Sequence, residues 1–487
     1  MHPFLSRVFL VILICTHFFG CYALQRSSGG GQTDFNPPRE VDPADIALPD
    51  GFQAEVVATG LTFPTGVGFD DEGGVYVVEA GYSYGEVWTT PQLLRIDPDG
   101  DGFTVVAAGG DNGPWTGVDF HNGAFYVAEG GELEGGRIVR ITKDGKMTAL
   151  VSNLPSRGDH HTNGPETGPD GRLYFGIGTA TNSAVVGIDN YKFGWLQRYP
   201  DFHDTPCRDI TLTGENFTTK NPFEPESDEK VVTGAFVPFG EKTSPGQVIQ
   251  GAVPCNGAIL RIQPEGGNPE LVAWGFRNPF AFAFSPDGRL FTTENQYDIR
   301  GSRPIFGAGD LLWEVSPGTW YGWPDYHGNT LLTKHSRYQP PGKPKPPILI
   351  QDHPDTPPEP VAVLGVHSSS NGFDFSRNPD FGYVGDAFIA QFGDQAPTTG
   401  KVLAPVGFKV IRVRVDDGTV KDFAVNKGKK GGPASWTGGN GLERPMDAKF
   451  DPEGAALYIV DFGVMMQSKQ GANPVPETGV LWRVTKR

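Results

Sequence analysis

Short runs in which apolar and polar residues alternate recur along this chain, each bounded by an Asp-Gly, Pro-Asp-Gly or similar turn. Such runs, rich in Val, Ile, Phe and Tyr, are typical of antiparallel hairpins. Six copies of one loop, turn and strand unit align at 66–81, 117–131, 164–179, 281–296, 372–394 and 447–463. A second series of strands follows them at 93–100, 136–145, 258–267, 311–318, 410–418 and 480–487.

The repeat length and strand count predict the architecture. Repeats of about 45 residues with about four strands each are typical of propeller blades arranged around a channel. We therefore predict an all-β fold, a six-bladed β-propeller. The last strand ends at the C-terminus, whereas the strand at 51–61 has no earlier blade to join, so we expect this N-terminal strand to close the last blade.

The predicted propeller spans 46–487, and three segments in it are longer than a hairpin requires. They lie near 183–255, near 323–365, which is proline-rich, and near 426–436, which is basic and rich in glycine. Loops of this length in a compact fold are usually functional or disordered. We expect the first two to wall a cleft and the third to be a solvated tip.

The N-terminus has the pattern of a secretory signal. Arg7 precedes the apolar stretch 8–20, which is too short to span a bilayer. Two interpretations remain: a signal peptide over 1–23, or a lipoprotein signal over 1–20 in which Cys21 carries the lipid. Either predicts an extracytoplasmic protein with a flexible linker at 24–45, and only the second predicts a membrane anchor.

Loss of the signal leaves Cys207 and Cys255 as the cysteines of the mature chain. They form either a disulfide, which an oxidising compartment favours, or two separate buried thiols. The 40 Lys and Arg against 57 Asp and Glu give a net charge of −17, which argues against nucleic acid or an anionic membrane surface as a partner.

The loops that precede the innermost strands open on one rim of a propeller. Their side chains include three histidines, which titrate near neutral pH, and two arginines: His160, His161, His367, Arg277 and Arg444. Convergent polar groups at a concave rim are typical of a ligand site.

Several motifs carry a family resemblance over about 50–487. They are HTNG (161–164) with PDGRLYFGIG (169–178), GFRNP (275–279) with FSPDGRLFTTEN (284–295), YGWP (321–324), and Arg-Pro (444–445) with its following strand. In order and spacing the sequence resembles the glucose/sorbosone dehydrogenase family of soluble quinoprotein sugar dehydrogenases, closest to its sorbosone-dehydrogenase-like branch.

The resemblance implies a pyrroloquinoline quinone (PQQ) cofactor with Ca²⁺ over the propeller axis, and oxidation of a sugar or sugar-like alcohol. The His-x-x-Gly pattern of the family falls on His161 and Gly164, which makes His161 the general base. His160 is then an orienting neighbour, or the two roles are reversed. The cofactor-binding residues implied are Asn182, Arg277, Asn295 and Arg444.

Metal contacts are also implied by the resemblance. Backbone carbonyls that bind the catalytic Ca²⁺ would fall on Gln296 and Tyr297, and carbonyl oxygen is a suitable hard ligand. A structural Ca²⁺ would fall near Asp310 and the carbonyl of Tyr321, although Leu311 replaces the acidic partner of the family.

Other positions depart from the family. Gly393 stands where the family has a cofactor-binding lysine, and Met446 stands in place of an arginine. A second arginine of the family is missing in the region of Asn182, and Trp115 replaces a glutamine on the substrate side. A binding propeller without catalysis is therefore an alternative. A Ca²⁺-dependent lactone hydrolase is another, which would use acidic rim residues such as Glu79, Glu129 and Glu294. The absence of a Cys-x-x-Cys-His motif predicts an external electron acceptor.

Overall fold

The computed structural model describes residues 30, 35–83, 87–98, 102–400, 402–428, 431–468 and 471–487. Its main strands form six antiparallel sheets arranged as a ring, which confirms the predicted all-β propeller. The predicted signal peptide and Cys21 lie outside the described residues. Within the described residues, no helix combines the length and the apolar character needed to cross a bilayer.

Blades 1 to 3 follow the chain, each running from its innermost strand outward. Blade 1 consists of Pro64–Phe69, Val75–Glu79, Gln92–Ile96 and Phe103–Ala108. Blade 2 consists of Trp115–His121, Ala124–Glu129, Gly136–Thr142 and Met147–Leu154. Blade 3 consists of Thr162–Thr167, Leu173–Ile177, Ala258–Ile262 and Glu270–Trp274.

Blades 4 to 6 complete the ring. Blade 4 consists of Pro279–Phe284, Leu290–Glu294, Gly309–Glu314 and Ala362–Val366. Blade 5 consists of Ser370–Phe375, Asp386–Gln391, Lys409–Arg414, Thr419–Asn426 and, at its outer edge, Ile46–Ala47. Blade 6 consists of Pro445–Phe450, Ala456–Asp461, Gly479–Lys486 and the N-terminal strand Phe52–Leu61.

The ring closes as the sequence predicts. The N-terminal strand pairs with the C-terminal strand from Phe52 opposite Lys486 to Leu61 opposite Gly479. Each innermost strand packs against the next, and that of blade 6 packs against that of blade 1. The pairing of Ile46–Ala47 with blade 5 was not anticipated from the sequence. From Arg39 onward the stretch assigned as a linker contacts blade 6, since Arg39 pairs with Asp461 at 2.7 Å.

Alternation along each strand buries one row of side chains between adjacent blades. Between blades 5 and 6, the rings of Phe381, Phe388, Phe423 and Phe450 meet edge to face. Each such buried ring contributes about 1.5–3 kcal/mol relative to an exposed one. The blades therefore adhere through apolar faces, which leaves polar loops at the two ends of the axis.

Blade 3 carries the longest connection, between Ile177 and Ala258, which we call the first insertion (178–257). It contains two short helices and four short strands: Ile188–Lys192, Trp195–Arg198, Ile210–Thr211, Asn216–Lys220, Lys230–Gly234 and Val248–Ile249. Cys207 and Cys255 form a disulfide. Of the two alternatives left open by the sequence, a disulfide and two separate thiols, the structure has the disulfide.

The remaining elements are short. The strand pairs are Tyr82–Ser83 with Val87–Trp88, Tyr326–His327 with Thr330–Leu331, and Met465–Gln467 with Ala472–Pro474. The helical turns are Pro43–Asp45, Leu332–Lys334, Ser336–Tyr338 and Ala434–Thr437.

Candidate active site

A cavity of about 200 Å³ lies at the end of the axis on which the rim loops meet. Five of the six predicted rim loops contribute to its wall, and Met446 follows the sixth. The contributions from those five loops are Thr65, Thr116, His160, His161, Asn163, Arg277, Asn278, His367 and Ser369. The structure thus gathers side chains that are far apart in the sequence.

His160 is buried in this wall. Its Nδ1 lies 2.8 Å from the carbonyl oxygen of Thr179, which can only accept a hydrogen bond, so Nδ1 carries the proton and Nε2 a lone pair. Burial, followed by the charges of Arg277 and Arg300, lowers the pKa of His160 well below its usual value. Gly178 permits this position, because a Cβ there would lie 2.2 Å from the Cβ of His160.

His161 also lines the cavity. Burial lowers its pKa to about 4, so it too is neutral at physiological pH. Both imidazoles are therefore neutral, and the contact with the Thr179 carbonyl defines the tautomer of His160.

Arg277 reaches the wall with its guanidinium already engaged. It donates to the carbonyl oxygen of Asn295 at 3.1 Å and to Oδ1 of Asn182 at 3.0 Å, and its Nη2 pairs with Asp298 at 2.8 Å. Asn182 also donates through Nδ2 to the carbonyl oxygen of Asp298 at 2.9 Å. Asn182 therefore orders the loop that holds Arg277, and it is not part of the described lining.

Arg300 ties three carboxylates together beside the cavity. Its Nη1 lies 2.6 Å from Asp159 and 2.8 Å from Asp189, and its Nε lies 3.0 Å from Asp298. Although burial opposes it, the charges of Arg277 and Arg300 hold the pKa of Asp298 well below its usual range. Burial raises the pKa of Asp159 to about 6, against the attraction of Arg300.

Asn295, Gln296 and Asp310 form the blade 4 part of the wall. Asn295 donates to the carbonyl oxygen of Ser370 at 2.9 Å. Asp310 accepts from the backbone N–H groups of Gln296 at 3.1 Å and Ser370 at 2.8 Å, so it clamps two rim loops. Burial raises the pKa of Asp310.

Arg444, Tyr297 and Tyr321 are not part of the described lining. The fully buried guanidinium of Arg444 lies over the rings of Phe392 and Phe408, at 4.8 and 4.9 Å, and donates to the carbonyl oxygen of Gly30 at 3.2 Å. The expectation that its side chain faces the cavity therefore has no support in this geometry.

The two tyrosines are packed elsewhere. The hydroxyl of Tyr297 donates to the carbonyl oxygen of Tyr326 at 2.9 Å, and Tyr321 stacks on Phe276 at 4.3 Å. Among the described residues, no group of three or more His, Cys, Asp or Glu side chains is arranged to hold a metal ion.

Two of the departures from the family pattern are part of the wall. Gly393 and Met446 line the cavity, and a Cβ on Gly393 would lie 2.4 Å from the ring of Phe408. A lysine at 393 would thus require Phe408 to move. Within the described lining the guanidinium groups are those of Arg277 and Arg300, and no lysine is present.

Sequence reasoning missed several residues of the wall, among them Phe193, Trp195, Asp298, Arg300 and Thr399. Asp298 and Arg300 follow soon after the predicted Gln296 and Tyr297, so this charged pair was the available signal. The others lie in long connections without a repeated pattern.

Some buried polar atoms of the lining have no hydrogen-bond partner among the described residues. They include Oε1 of Gln296, Nε2 of His367 and Oγ1 of Thr399. Buried polar atoms are nearly always satisfied, so a cluster of exceptions at one cavity indicates hydrogen bonds reserved for a ligand. His367 is also held at a backbone φ of 61°, with its Nδ1 3.5 Å from Asp298.

The glutamates that end the second strands of blades 1, 2 and 4 hold loops in place. Glu79 accepts from the backbone N–H of Thr62 at 2.5 Å and Glu294 from that of Arg277 at 2.6 Å, whereas Glu129 accepts from the side chain of Asn112 at 2.7 Å. None of the three is part of the described lining. They order loops, and the acidic residues of the lining are instead Asp159, Asp298 and Asp310.

This fold is shared with known enzymes. A pyranose dehydrogenase PQQ domain from Coprinopsis cinerea in its holo form is 14% identical, with a TM-score of 0.55 over 92% of this chain and 98% of that one. A calcium structure of a Trichoderma reesei carbohydrate-active enzyme of family AA12 is 15% identical, with a TM-score of 0.53 over 93% and 99%.

The soluble aldose sugar dehydrogenase of Escherichia coli in its apo form is 14% identical, with a TM-score of 0.51 over 90% of this chain and 100% of that one. At such identities the likeness shows a common fold. No family model matches the sequence, and no curated protein matches it.

Proposed function

We propose that this protein oxidises a hydroxyl group of a sugar or sugar-like alcohol at the axial cavity, with PQQ and Ca²⁺ as cofactors. The observation that carries the proposal is the tautomer of His160, whose Nε2 is an unprotonated base in a wall that also holds unsatisfied polar atoms. Structures that share the fold are described as a PQQ domain, a calcium structure and an aldose sugar dehydrogenase, which supports the same chemistry here.

The residues of the cavity fit a planar group rimmed by oxygen atoms. Oε1 of Gln296, Nε2 of His367 and Oγ1 of Thr399 are available along its edges. Phe280 and Phe462 add apolar surface for the faces of a ring. Gln296 would supply an amide oxygen to Ca²⁺, which is a suitable hard ligand.

Charge decides how such a group would be held. Arg277 and Arg300 already have carboxylate partners, and Gly393 and Met446 contribute none of the cations that the family uses. A tricarboxylate in this cavity therefore depends on Ca²⁺ for neutralisation. We expect weaker cofactor binding than a site with several free cations would give, because each charge-assisted hydrogen bond contributes about 1.5–3 kcal/mol.

When bound, the quinone supplies the acceptor for a hydride from the substrate carbon. The residues of the chain handle the proton: Nε2 of His160 takes it from the hydroxyl as the C–H bond breaks, which leaves a carbonyl product. The Thr179 carbonyl stabilises the resulting imidazolium through Nδ1–H, at 2.8 Å. Arg277 and Asp298 orient the wall around this base.

The test uses purified full-length protein with PQQ and Ca²⁺. We expect quinone absorbance to co-elute with the protein and a dye to be reduced when aldoses are added. His160→Ala should lose turnover and keep the quinone, whereas His203→Ala, at a partly exposed loop position, should behave as the wild type. If no quinone is retained at high micromolar concentration, the protein is a binding propeller.

The setting of the reaction follows from the sequence and the disulfide. The Cys207–Cys255 bond supports an oxidising, extracytoplasmic location. The proposed reaction also needs an electron acceptor, which we take to be external to the described domain. Lipid attachment at Cys21 stays a prediction.

A further inference from the structure

The first insertion brings aromatic side chains to the mouth of the cavity. Phe193 and Trp195 both line it, and the left-handed Gly194 (φ 86°) reverses the chain between them. Trp195 is 4% exposed and stacks on Phe202 with ring centres 5.9 Å apart. Phe193, in contrast, remains 43% exposed although it belongs to the wall.

A continuous line of contacts runs inward from Phe193. The guanidinium of Arg300 lies 5.3 Å from the centre of its ring. Arg300 contacts Asp298 at 3.0 Å, and Asp298 contacts His367 at 3.5 Å. Phe193 is therefore the outermost member of a row whose inner end is one of the unsatisfied atoms of the site, Nε2 of His367.

An exposed ring that is fixed in place beside charged groups suits one class of ligand. A pyranose presents apolar C–H groups on its faces and hydroxyl groups around its edge. A phenyl ring covers the faces, and the polar side chains of Arg300 and Asp159 line the same cavity. The contact with Arg300 holds the ring before any ligand arrives, which lowers the entropy lost on binding.

We infer that Phe193 stacks on a second sugar unit, outward from the unit that is oxidised beside His160. The preferred substrates are then saccharides of two or more units rather than free monosaccharides. This inference rests on the proposed function, because it assumes that a sugar occupies the inner cavity.

Phe223 provides a matched control within the same insertion. It is 51% exposed and meets Tyr191 edge to face, yet it is not part of the described lining. Removing either ring takes away a similar exposed surface. Only removal of Phe193 should affect a ligand in the cavity.

The experiment measures saccharide binding by calorimetry in the absence of quinone, with glucose, maltose and cellobiose as probes. We expect at least one disaccharide to bind the wild type ten-fold or more tightly than glucose. Phe193→Ala should weaken disaccharide binding by at least ten-fold and glucose binding by less than two-fold, whereas Phe193→Tyr should restore it. Phe223→Ala should bind all three probes as the wild type does.

The outcomes separate the two proposals. Equal affinity for glucose and the disaccharides, or equal losses for all probes in Phe193→Ala, would overturn the role of Phe193 and leave sugar oxidation standing. If the wild type binds none of the three sugars, both proposals fail. Because Phe193 is substantially exposed, its variants should melt within a few degrees of the wild type, and this comparison excludes misfolding as the cause.

Discussion

His160 and Thr179 are joined by a 2.8 Å contact between Nδ1 and a backbone carbonyl oxygen. A carbonyl cannot donate, so the contact defines the imidazole tautomer and leaves Nε2 as the basic atom. We therefore propose His160 as the base and His161 as its neighbour, the reverse of the order first suggested by the sequence motif.

Replacement of the base should separate chemistry from binding. We expect His160→Ala to lower kcat by about 10²- to 10⁴-fold, the usual contribution of a general base, while quinone affinity changes by less than about three-fold. His161→Ala should cost less than ten-fold. Steady-state kinetics and equilibrium binding on the same preparations measure both quantities, and an active His160→Ala beside an inactive His161→Ala would reverse the assignment.

The acid limb of the pH profile should lie below the pH range in which an ordinary histidine titrates. Burial first, and then Arg277 and Arg300, lower the pKa of His160, so protons do not compete for Nε2 until the solution is more acidic. A profile of kcat/KM against pH should therefore decline only below the ~6.5 of an unperturbed imidazole. A decline centred at or above that unperturbed value would show that the base is solvated.

Calcium removal should release the quinone. The cations of the described lining, Arg277 and Arg300, are paired with Asp298, so Ca²⁺ must neutralise the carboxylates of the cofactor. Addition of a chelator should reduce quinone affinity by at least 100-fold, and Ca²⁺ should restore it while Na⁺ at equal ionic strength does not. Retention of quinone in excess chelator would mean that cations outside the described lining hold it.

The disulfide should stabilise the first insertion and, through it, the cavity wall. It links residues 48 positions apart, for which the chain-entropy model gives about 4 kcal/mol. We expect the Cys207→Ser/Cys255→Ser variant to unfold at lower urea concentration than the wild type, and a reductant to lower the wild-type midpoint to the same value. A wild-type midpoint that ignores reductant after verified thiol release would contradict this role.

Stability should also depend on pH through Asp204. This buried carboxyl accepts from the N–H of Ala180 at 2.6 Å and from the hydroxyl of Thr181 at 2.5 Å, yet burial raises its pKa to about 7. A raised pKa gives stability that is complete below the unfolded value of ~3.9 and is lost as the pH rises toward 7.

The comparison between the wild type and Asp204→Asn isolates this group. Between pH 4 and 7 the free energy of unfolding of the wild type should fall relative to that of the variant by up to roughly 1.4 kcal/mol per pH unit. Urea unfolding at pH 5 and pH 8 measures the difference. A constant gap between the two proteins would show that Asp204 does not titrate there.

The fold was accessible from the sequence because strand alternation is local. The pairing of Phe52–Leu61 with the last strand follows from an unpaired strand at each end of the chain, and the structure confirms it. The direction in which a side chain points, in contrast, depends on residues that are distant in the sequence. The backbone N–H of Arg444 is held by Asp461 at 2.8 Å, and its guanidinium lies over the rings of Phe392 and Phe408.

The charged part of the site was missed for a related reason. Asp298 and Arg300 occupy a loop in which polar residues normally face water, so their pattern indicates only exposure. Burial comes from the first insertion, whose Asp189 pairs with Arg300 at 2.8 Å from more than one hundred positions away. Such a contact between two irregular segments leaves no periodic signal in the sequence.

A single-turnover experiment tests whether the cavity brings an alcohol, a base and the quinone together. Protein loaded with PQQ and Ca²⁺ is mixed with an aldose or disaccharide in the absence of oxygen and of any external acceptor, and the absorbance of the quinone is followed. We expect one equivalent of reduced quinone per bound quinone in the wild type, and a rate of quinone reduction at least 100-fold lower in His160→Ala. Bound quinone that stays oxidised at saturating sugar across the panel would contradict it.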